Sequence, residues 1–245
     1  KKKKKKKKKS KDEEPAVVEK APEAAQGSDA ANKYRSEHEI STPVENATLP
    51  DPFQTFSDLP FDSKIVASLK SAGFAAPSPV QAQSWPIVLT GNDLIAVAKT
   101  GSGKTLGYLL PTVHLIANRK AGGPMVLVLA PTRELAMQIN EESVKFCTQA
   151  AGIRTTCIYG GVPKGPQAGE LRKSPQIVVA TPGRLVDMME MKATTLEHIR
   201  HVVLDEADRM LDMGFEPQIK KILEATPKDR QTVCYTATWP KSVRK

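Results

Sequence analysis

Six short apolar runs, several rich in β-branched residues, alternate along the chain with segments of helical composition. The runs are Leu94–Ala98, Met125–Ala130, Thr155–Tyr159, Ile177–Ala180, His201–Leu204 and Thr232–Tyr235. Apolar runs of this kind suit strands that are covered on both faces. The segments between them include Leu106–Asn118, Arg133–Ala150 and Pro182–Met191. This order predicts an α/β fold with a doubly wound parallel sheet, whose ligands bind beyond the carboxyl ends of the strands.

The basic charge of the chain is confined to its first residues. The formal net charge is +9, but ten of the 36 lysines and arginines lie within Lys1–Lys11, which contains no acidic residue. The remainder carries 26 basic and 27 acidic residues. A folded part with this balance does not present a broadly basic surface, so any contact with nucleic acid must be local.

The first 50 residues contain few aromatic residues and are rich in Lys, Glu, Ala, Ser and Pro. This composition cannot bury enough apolar surface to offset the entropy of ordering, so we predict that residues 1–50 are a disordered tail. The lysine run fits a nuclear-import signal, an electrostatic tether for RNA, or a tag added for solubility. The pattern changes from Phe53 onward, and Ser63–Ser71 has helical spacing.

The cysteines predict neither a disulfide framework nor a zinc site. Cys147, Cys157 and Cys234 are far apart, without a CxxC pair or a cluster with histidine, which is typical of reduced core residues in an intracellular protein. The longest apolar stretch, Met125–Ala130, is too short to span a bilayer, and no apolar run follows Lys1–Lys9 as a signal peptide requires. We therefore expect no membrane partner.

A glycine-rich segment between the first apolar run and the next helical segment is typical of a phosphate-binding loop. It reads Ala98-Lys99-Thr100-Gly101-Ser102-Gly103-Lys104-Thr105. Its backbone N–H groups and the positive end of the following helix suit a phosphate. We expect Lys104 to reach the β- and γ-phosphates and the Thr105 hydroxyl to bind Mg²⁺. Ala98 departs from the GxxxxGK(S/T) template, which has glycine there, and a flexible Gly/Ser loop is the alternative.

Acidic residues follow the fifth apolar run directly, in the order Asp205-Glu206-Ala207-Asp208. Carboxylates at a strand end near a phosphate loop suit Mg²⁺-dependent phosphoryl transfer, in which one holds the ion and a neighbour orients the attacking water. We assign the first role to Asp205 and the second to Glu206. Alone, these residues also fit a helix N-terminus that favours negative charge. Their combination with the loop favours a nucleotide site.

Four further segments carry groups suited to a base or to a phosphate backbone. The Gln81 amide can both donate to and accept from the adenine edge, and matches guanine less well. The segments Pro131-Thr132-Arg133 and Thr181-Pro182-Gly183-Arg184 each follow an apolar run and open a helical segment, and Gly160-Gly161 permits a close backbone approach. Hydroxyl, N–H and arginine groups at a helix start suit a nucleic-acid backbone. Taken singly, each segment also fits ordinary capping or turn chemistry.

In this order, the motifs resemble those of the DEAD-box RNA helicases of helicase superfamily 2, from about Phe56 to Trp239. Gln81 matches the Q motif, Ala98–Thr105 motif I, Pro131–Ala136 motif Ia, Gly160-Gly161 the GG motif, Thr181–Arg184 motif Ib and Asp205–Asp208 motif II. Phe56, 17 residues before Gly73, stands at the family's isolated aromatic position, where the resemblance implies packing against adenine. It also implies a RecA-like domain that binds ATP, Mg²⁺ and the RNA backbone.

The chain departs from the family pattern in two respects. Motif III reads Thr236-Ala237-Thr238 where the family usually has Ser-Ala-Thr; a hydroxyl is retained, so the resemblance implies a hydrogen bond toward Asp208 that links the ATP state to unwinding. The chain also ends at Lys245, shortly after this motif, and the family's second RecA-like domain with its arginine finger is not within it. We therefore expect a tail (1–50), a Q-motif region (51–85) and a first RecA-like domain (86–245).

The leading hypothesis is the N-terminal ATP-binding domain of an ATP-dependent RNA helicase, which alone binds nucleotide and RNA weakly and turns over little. The implied partners are RNA, the second RecA-like domain and proteins of RNA–protein complexes. Ser84-Trp85-Pro86 and Tyr235–Pro240 are similar to the nuclear p68/Dbp-two type branch, which favours the nucleus, with the cytoplasm as the alternative. A non-catalytic nucleotide-binding docking module is a second hypothesis. A DNA-directed P-loop ATPase fits the phosphate loop but not Gln81 with Asp205–Asp208.

Overall fold

A sheet of six parallel strands forms the centre of the protein. The computed structural model describes residues 28–44, 48–117, 119 and 122–239. The strands are β1 (Leu94–Val97), β2 (Val126–Leu129), β3 (Thr155–Ile158), β4 (Ile177–Ala180), β5 (His201–Asp205) and β6 (Gln231–Thr236). They lie in the order β1-β6-β5-β2-β4-β3, and every neighbouring pair is parallel. The predicted doubly wound α/β fold is therefore confirmed, and each predicted apolar run forms a strand.

Ten α-helices surround the sheet in the described part of the chain. They are α1 (Asp29–Glu37), α2 (Ser63–Ser71), α3 (Pro79–Leu89), α4 (Lys104–Ile116), α5 (Arg133–Ser143), α6 (Gln149–Ala151), α7 (Lys164–Leu171), α8 (Pro182–Glu190), α9 (Ala207–Asp212) and α10 (Glu216–Glu224). A π-helical turn, Val144–Thr148, joins α5 to α6. Local caps set several boundaries, since Asp62 accepts the Lys64 N–H and Thr132 accepts the Leu135 N–H.

The central strands are buried on both faces of the sheet. All four residues of β2 and of β4 are inaccessible to solvent. Val126 and Val128 belong to one hydrophobic cluster, whereas Leu127 and Leu129 belong to another. Successive side chains of a strand point to opposite faces, so two separate cores require two apolar sets. This explains why the runs are apolar without alternation.

A proline inside α3 ties the preceding chain segment to this helix. Pro86 has no backbone N–H, so it leaves the Ala82 carbonyl without its usual helical donor. The Phe53 N–H donates to that carbonyl at 2.9 Å. The segment before the 3₁₀ turn Phe56–Asp58 is thereby anchored along α3.

The prediction of a disordered tail is wrong for residues 28–44, which include α1. Ser28 caps this helix by accepting the Ala31 N–H, and Ala31 itself is buried. Arg35 donates to the Leu49 and Pro50 carbonyls. Composition did not reveal the helix because it contributes only Ala31 to the buried residues and is held by hydrogen bonds from an arginine. Residues 1–27, with the lysine run, lie outside the described residues.

The cysteines are free thiols, as predicted. Cys147 and Cys234 are buried and Cys157 is partly buried. Burial raises the pKa of Cys147 to about 12, so its thiol is not ionised near neutral pH. Within the described ranges, none of the helices has the length and apolar character needed to cross a membrane.

We expect His201 to lower the free energy of unfolding as the pH drops from about 6.5 toward 4, whereas protonation of the buried Asp205, whose pKa burial raises to about 6, acts in the opposite direction. His201 is buried at the start of β5, with Nδ1 2.9 Å from Gln231 Oε1. Burial lowers its pKa to about 4, so between these pH values the unfolded state binds a proton that the folded state does not. The contribution of His201 alone is on the order of 3 kcal/mol. Chemical denaturation of the unsubstituted protein and of His201→Asn across this range measures this contribution as the difference between their slopes; equal slopes would contradict the assignment.

Candidate functional site

The predicted site residues lie in two groups along the carboxyl edge of the sheet. The phosphate loop, Asp205–Asp208 and Thr236–Thr238 follow β1, β5 and β6, which are neighbours. Pro131–Arg133, Gly160-Gly161 and Thr181–Arg184 follow β2, β3 and β4, which are also neighbours. The sequence placed all these segments at one edge, and the strand order now separates them into two adjacent halves.

The phosphate loop depends on glycines in the left-handed region. Gly101 has φ 76° and Gly103 has φ 90°, and Gly103 caps the N-terminus of α4. Lys104 is buried, and its Nζ donates to the Ala98 carbonyl at 3.0 Å, so its ammonium spans the loop. Ser102 Oγ is buried without a hydrogen-bond partner among the described residues. A loop that offers a buried ammonium and an unpaired hydroxyl fits a phosphate group.

The other loop residues flank this core of the motif. Lys99 and Thr100 are exposed at the start of the loop, whereas Thr105 is partly buried in the first turn of α4. The Ala98 N–H donates to the Thr236 carbonyl at 3.0 Å, which fixes the loop's beginning to β6. Alanine in place of the template glycine at residue 98 is therefore compatible with the loop.

Gln81 supports the end of the phosphate loop. Its Oε1 accepts the Ser78 N–H and its Nε2 donates to the Gly103 carbonyl, each at 3.0 Å. A Cβ atom at residue 103 would lie 2.5 Å from that Nε2, so glycine is required for space as well as for its φ angle. Both ends of the amide already have protein partners, and the predicted contact with adenine stays a prediction.

Phe56 lies in the 3₁₀ turn close to this region but is mostly covered by protein. The turn is fixed by Asp58 Oδ2, which accepts the Thr55 N–H at 2.9 Å. Phe56 is 7% exposed and belongs to the hydrophobic cluster that includes residues of α3 and α4. Its predicted packing against adenine stays a prediction, and only the small exposed part of the residue is open to it.

A tyrosine that the sequence analysis missed orients Asp205. The Tyr108 hydroxyl donates to Asp205 Oδ2 at 2.9 Å, and the Glu206 N–H donates to Oδ1 at 3.0 Å. Tyr108 stands one turn after Lys104 on α4, a spacing that places both side chains on the same helix face. This spacing is the sequence signal that could have found it.

Asp205 combines deep burial with few charged neighbours. It is 3% exposed, and burial raises its pKa to about 6, although the Tyr108 hydroxyl and the Lys104 ammonium act in the opposite direction. Burial also raises the pKa of Tyr108 well above its usual value, so this hydroxyl stays a donor. A desolvated carboxylate near the Thr105 hydroxyl fits a divalent cation, which would offset its charge. In the described ranges, no group of three or more His, Cys, Asp or Glu side chains could hold a metal by itself.

Glu206 occupies a strained backbone conformation at the turn from β5 into α9. Its φ of 51° lies in the left-handed region, which costs a residue with a Cβ atom about 1 kcal/mol. Its Oε2 lies 3.2 Å from Nη1 of Arg209. The turn holds the Glu206 side chain, partly buried, directly after Asp205.

Asp208 joins the acidic turn to the segment after β6. Its Oδ2 accepts the Thr238 hydroxyl at 2.7 Å and the Thr238 N–H at 3.1 Å. The Thr236 hydroxyl donates to the Thr238 carbonyl at 2.9 Å, so Thr236 shapes the turn that presents Thr238. Burial acts to raise the pKa of Asp208, but hydrogen bonds, led by the one from the Thr238 hydroxyl, lower it below its usual value. The resemblance implies a hydrogen bond to Asp208 for the hydroxyl retained at residue 236, whereas the direct contacts run through Thr238.

Arg133 and Gly161 lie next to each other in the second half of the edge. The Arg133 guanidinium is exposed and stacks over the Tyr159 ring, 5.0 Å from its centroid. Its Nη1 would be 3.9 Å from a Cβ atom at residue 161, and Gly161 has φ 83°. Gly160 is also exposed. An exposed guanidinium beside an open glycine turn suits a phosphate backbone.

Arg184 faces inward rather than toward solvent. It is 8% exposed, and it donates to the Val162 carbonyl at 2.9 Å and to Gln167 Oε1 at 3.2 Å. Its Nε lies 3.4 Å from Asp187 Oδ2. Arg184 therefore supports the turn that follows Gly160-Gly161 from the protein interior. Its predicted contact with RNA stays a prediction.

The remaining predicted residues of this half of the edge lie at the N-termini of α5 and α8. Thr132 caps α5, and Pro131 before it is buried. Thr181 and Pro182 are buried at the start of α8, and Gly183 is partly buried. The backbone N–H groups of these helix starts are the features best placed for an anion.

Comparisons with known proteins agree with this arrangement. A family model described as DEAD/DEAH box helicase matches residues 78–245. The ATP-dependent RNA helicase-like protein DB10 of Nicotiana sylvestris is 56% identical over 223 residues, which cover 89% of this chain and 36% of that protein. The DEAD-box ATP-dependent RNA helicase 30 of Arabidopsis thaliana is 55% identical over 214 residues, or 86% of this chain and 36% of that protein. The chain spans about a third of the length of these two relatives.

A solved structure shows the same fold. The crystal structure of a DEAD box protein from the hyperthermophile Methanococcus jannaschii matches with a TM-score of 0.73 and 33% identity. The match covers 79% of this chain and 52% of that one. It supports the assignment of the six-stranded sheet as a RecA-like domain.

We expect Tyr108→Phe to lower the free energy of unfolding by about 1–2 kcal/mol at pH 8, because the buried Asp205 carboxylate loses a donor. Tyr235→Phe is the matched control. Tyr235 is also fully buried, packs against Tyr108 with ring centroids 5.3 Å apart, and its hydroxyl has no hydrogen-bond partner among the described residues. Chemical denaturation of both variants measures the difference, and equal losses would contradict the role given to Tyr108.

Proposed function

This chain belongs to the DEAD/DEAH box helicase family, and we propose that it is the ATP-binding domain of an ATP-dependent RNA helicase. In the longer protein, ATP hydrolysis would drive local unwinding of RNA duplexes or remodelling of RNA–protein complexes. The main support is the buried Asp205, held by Tyr108 beside the phosphate loop and linked through the acidic turn to Thr238. The relatives' names as ATP-dependent RNA helicases add to this support.

The phosphate loop and the acidic turn would act together on the nucleotide. Lys104 would exchange the Ala98 carbonyl for the β- and γ-phosphates. Thr105 and Asp205 would hold Mg²⁺, which neutralises charge on the phosphates when bound. Glu206 would accept a proton from the attacking water and orient it, since its backbone turn places its carboxylate directly after the metal-binding position.

Two links would connect this chemistry with RNA. The contact between Asp208 and Thr238 joins the acidic turn to the segment after β6. The half of the edge with Arg133 and Gly161 would bind the RNA backbone without reading its sequence. Closure of a second RecA-like domain would add the arginine that stabilises the transition state, so we expect little turnover from the chain alone.

We also propose the nucleus as the location of the protein. The lysine run is suited to an import signal, and the motif-flanking sequence is similar to the nuclear p68/Dbp-two type branch. Imaging of the full-length protein with and without Lys1–Lys11 tests this; the same cytoplasmic distribution for both would contradict it.

We expect the chain to bind ATP and ADP in the presence of Mg²⁺, with negligible RNA-stimulated hydrolysis. Lys104→Ala should weaken binding about tenfold or more, because a charge-assisted hydrogen bond to phosphate is lost. Glu206→Gln should retain binding, because its proposed partner is the water and not the nucleotide. Titration calorimetry measures both.

The same substitutions in the full-length protein test the reaction. Each should abolish RNA-stimulated ATP hydrolysis. Unimpaired cellular function of full-length Lys104→Ala would favour a non-catalytic docking module. Stronger stimulation by single-stranded DNA than by RNA would favour a DNA-directed ATPase.

We expect substitution of Arg133 to weaken RNA binding and substitution of Arg184 to lower the stability of the fold. Arg133→Ala should weaken binding of single-stranded RNA at low salt without changing the thermal midpoint, because the side chain is exposed. Arg184→Ala should lower the free energy of unfolding by about 2 kcal/mol, because it leaves buried acceptors unpaired. Fluorescence anisotropy and thermal unfolding measure the two effects. A destabilised Arg133→Ala with unchanged RNA affinity would contradict the assignment.

A further inference from the structure

Arg35 of α1 joins separate parts of the N-terminal region, although it belongs to none of the motifs. Its Nε donates to Gln83 Oε1 at 2.8 Å, and its Nη2 donates to the Leu49 and Pro50 carbonyls at 3.1 and 2.9 Å. Its Nη1 donates to Asn32 Oδ1 at 3.2 Å. A guanidinium that donates hydrogen bonds to α3 and to residues 49–50 at the same time has a fixed position, unlike a solvated surface charge.

The segment that Arg35 holds is bound to α3 at two further points. Gln83 Nε2 donates to the Pro50 carbonyl at 2.9 Å, so Gln83 is linked to Arg35 both directly and through Pro50. The Phe53 N–H occupies the Ala82 carbonyl. Residues 49–53 are therefore fixed between α1 and α3.

The held segment and α3 each carry a residue that is expected to belong to the proposed nucleotide site. Phe56, expected to pack against adenine, follows Phe53 by three residues in the same segment. Gln81, two residues before Gln83 on α3, donates to the Gly103 carbonyl of the phosphate loop. A shift of residues 49–53 would displace Phe56, and a shift of the first turn of α3 would displace Gln81.

We propose that Arg35 is a positioning residue of the nucleotide site. It fixes residues 49–56 against α3 and thereby holds Phe56 and Gln81 where the adenine ring binds. This inference rests on the proposed function. Arg35 touches neither the phosphate loop nor the acidic turn, so it acts on affinity and on the choice of base and leaves the hydrolytic groups in place. The helix α1 is thus part of the nucleotide-binding unit.

The test compares ADP with GDP on the complete 245-residue chain. Arg35→Ala should weaken ADP binding about five- to tenfold, the size expected when one charge-assisted contact stops holding the adenine groups. Binding of GDP should change little, so the ratio of the two affinities should fall by the same factor. Isothermal titration calorimetry with Mg²⁺ measures both affinities.

Three further variants isolate the contact. Arg35→Lys keeps the charge but not the planar fork, and should also lower the ratio. Gln83→Ala removes the partner on α3 and should reproduce the change. Lys33→Ala is the matched control on the same helix: its side chain is 77% exposed and its ion pair with Glu37 spans 3.8 Å, so the ratio should stay unchanged.

The outcomes separate this inference from the proposed function. If the unsubstituted chain binds neither nucleotide, the proposed function fails and this inference fails with it. If that chain prefers ADP and both Arg35→Ala and Gln83→Ala keep the same preference, this inference alone fails. Equal losses for ADP and GDP would also overturn it, because they would show general loosening of the domain. Should Arg35→Ala fail to fold, Arg35→Lys and Gln83→Ala decide in the same way.

Discussion

Burial of the central strands on both faces determines where this protein can carry polar chemistry. The side chains of β2 and β4 are all used by two hydrophobic cores, so neither face of these strands can hold a ligand. Because the strands are parallel, their carboxyl ends meet at one edge, and the functional segments begin there. Strand order then separates a half suited to nucleotide chemistry from a half suited to a phosphate backbone. Asp205, the last residue of β5, lies where the core meets this edge, so it is a buried residue with an ionisable side chain.

Sequence reasoning identified the strands, the loop and the acidic turn, because each depends on a local pattern. It missed interactions between distant side chains. Tyr108 belongs to none of the motifs, and its hydroxyl contacts Asp205 only because α4 packs on the sheet. Arg184 shows a second limit: sequence does not distinguish an arginine that faces solvent from one that supports a turn. Sequence reasoning also missed α1, because the hydrogen bonds of Arg35 hold this helix in place of a hydrophobic face.

Three energetic costs of the fold lie at or beside the phosphate loop. Glu206 has a left-handed backbone, Asp205 is a carboxylate with little solvent, and Ser102 keeps a buried hydroxyl without a partner among the described residues. Each feature lowers the stability of the free protein. A bound anion and cation would relieve the last two. The cores on the two faces of the sheet supply the stability that tolerates these features.

Pro86 reverses the usual relation between helix propensity and stability. Inside a helix, proline ordinarily costs about 3 kcal/mol relative to alanine, and its replacement normally favours the helix. Here the missing N–H makes the Ala82 carbonyl available to Phe53, which belongs to a different segment. Any other residue at position 86 would supply a donor four residues after Ala82 and compete for that carbonyl. A substitution that repairs α3 as an isolated helix would thus weaken one of the contacts that hold the chain segment packed along it, so a design procedure that scores helices one at a time would choose the wrong residue.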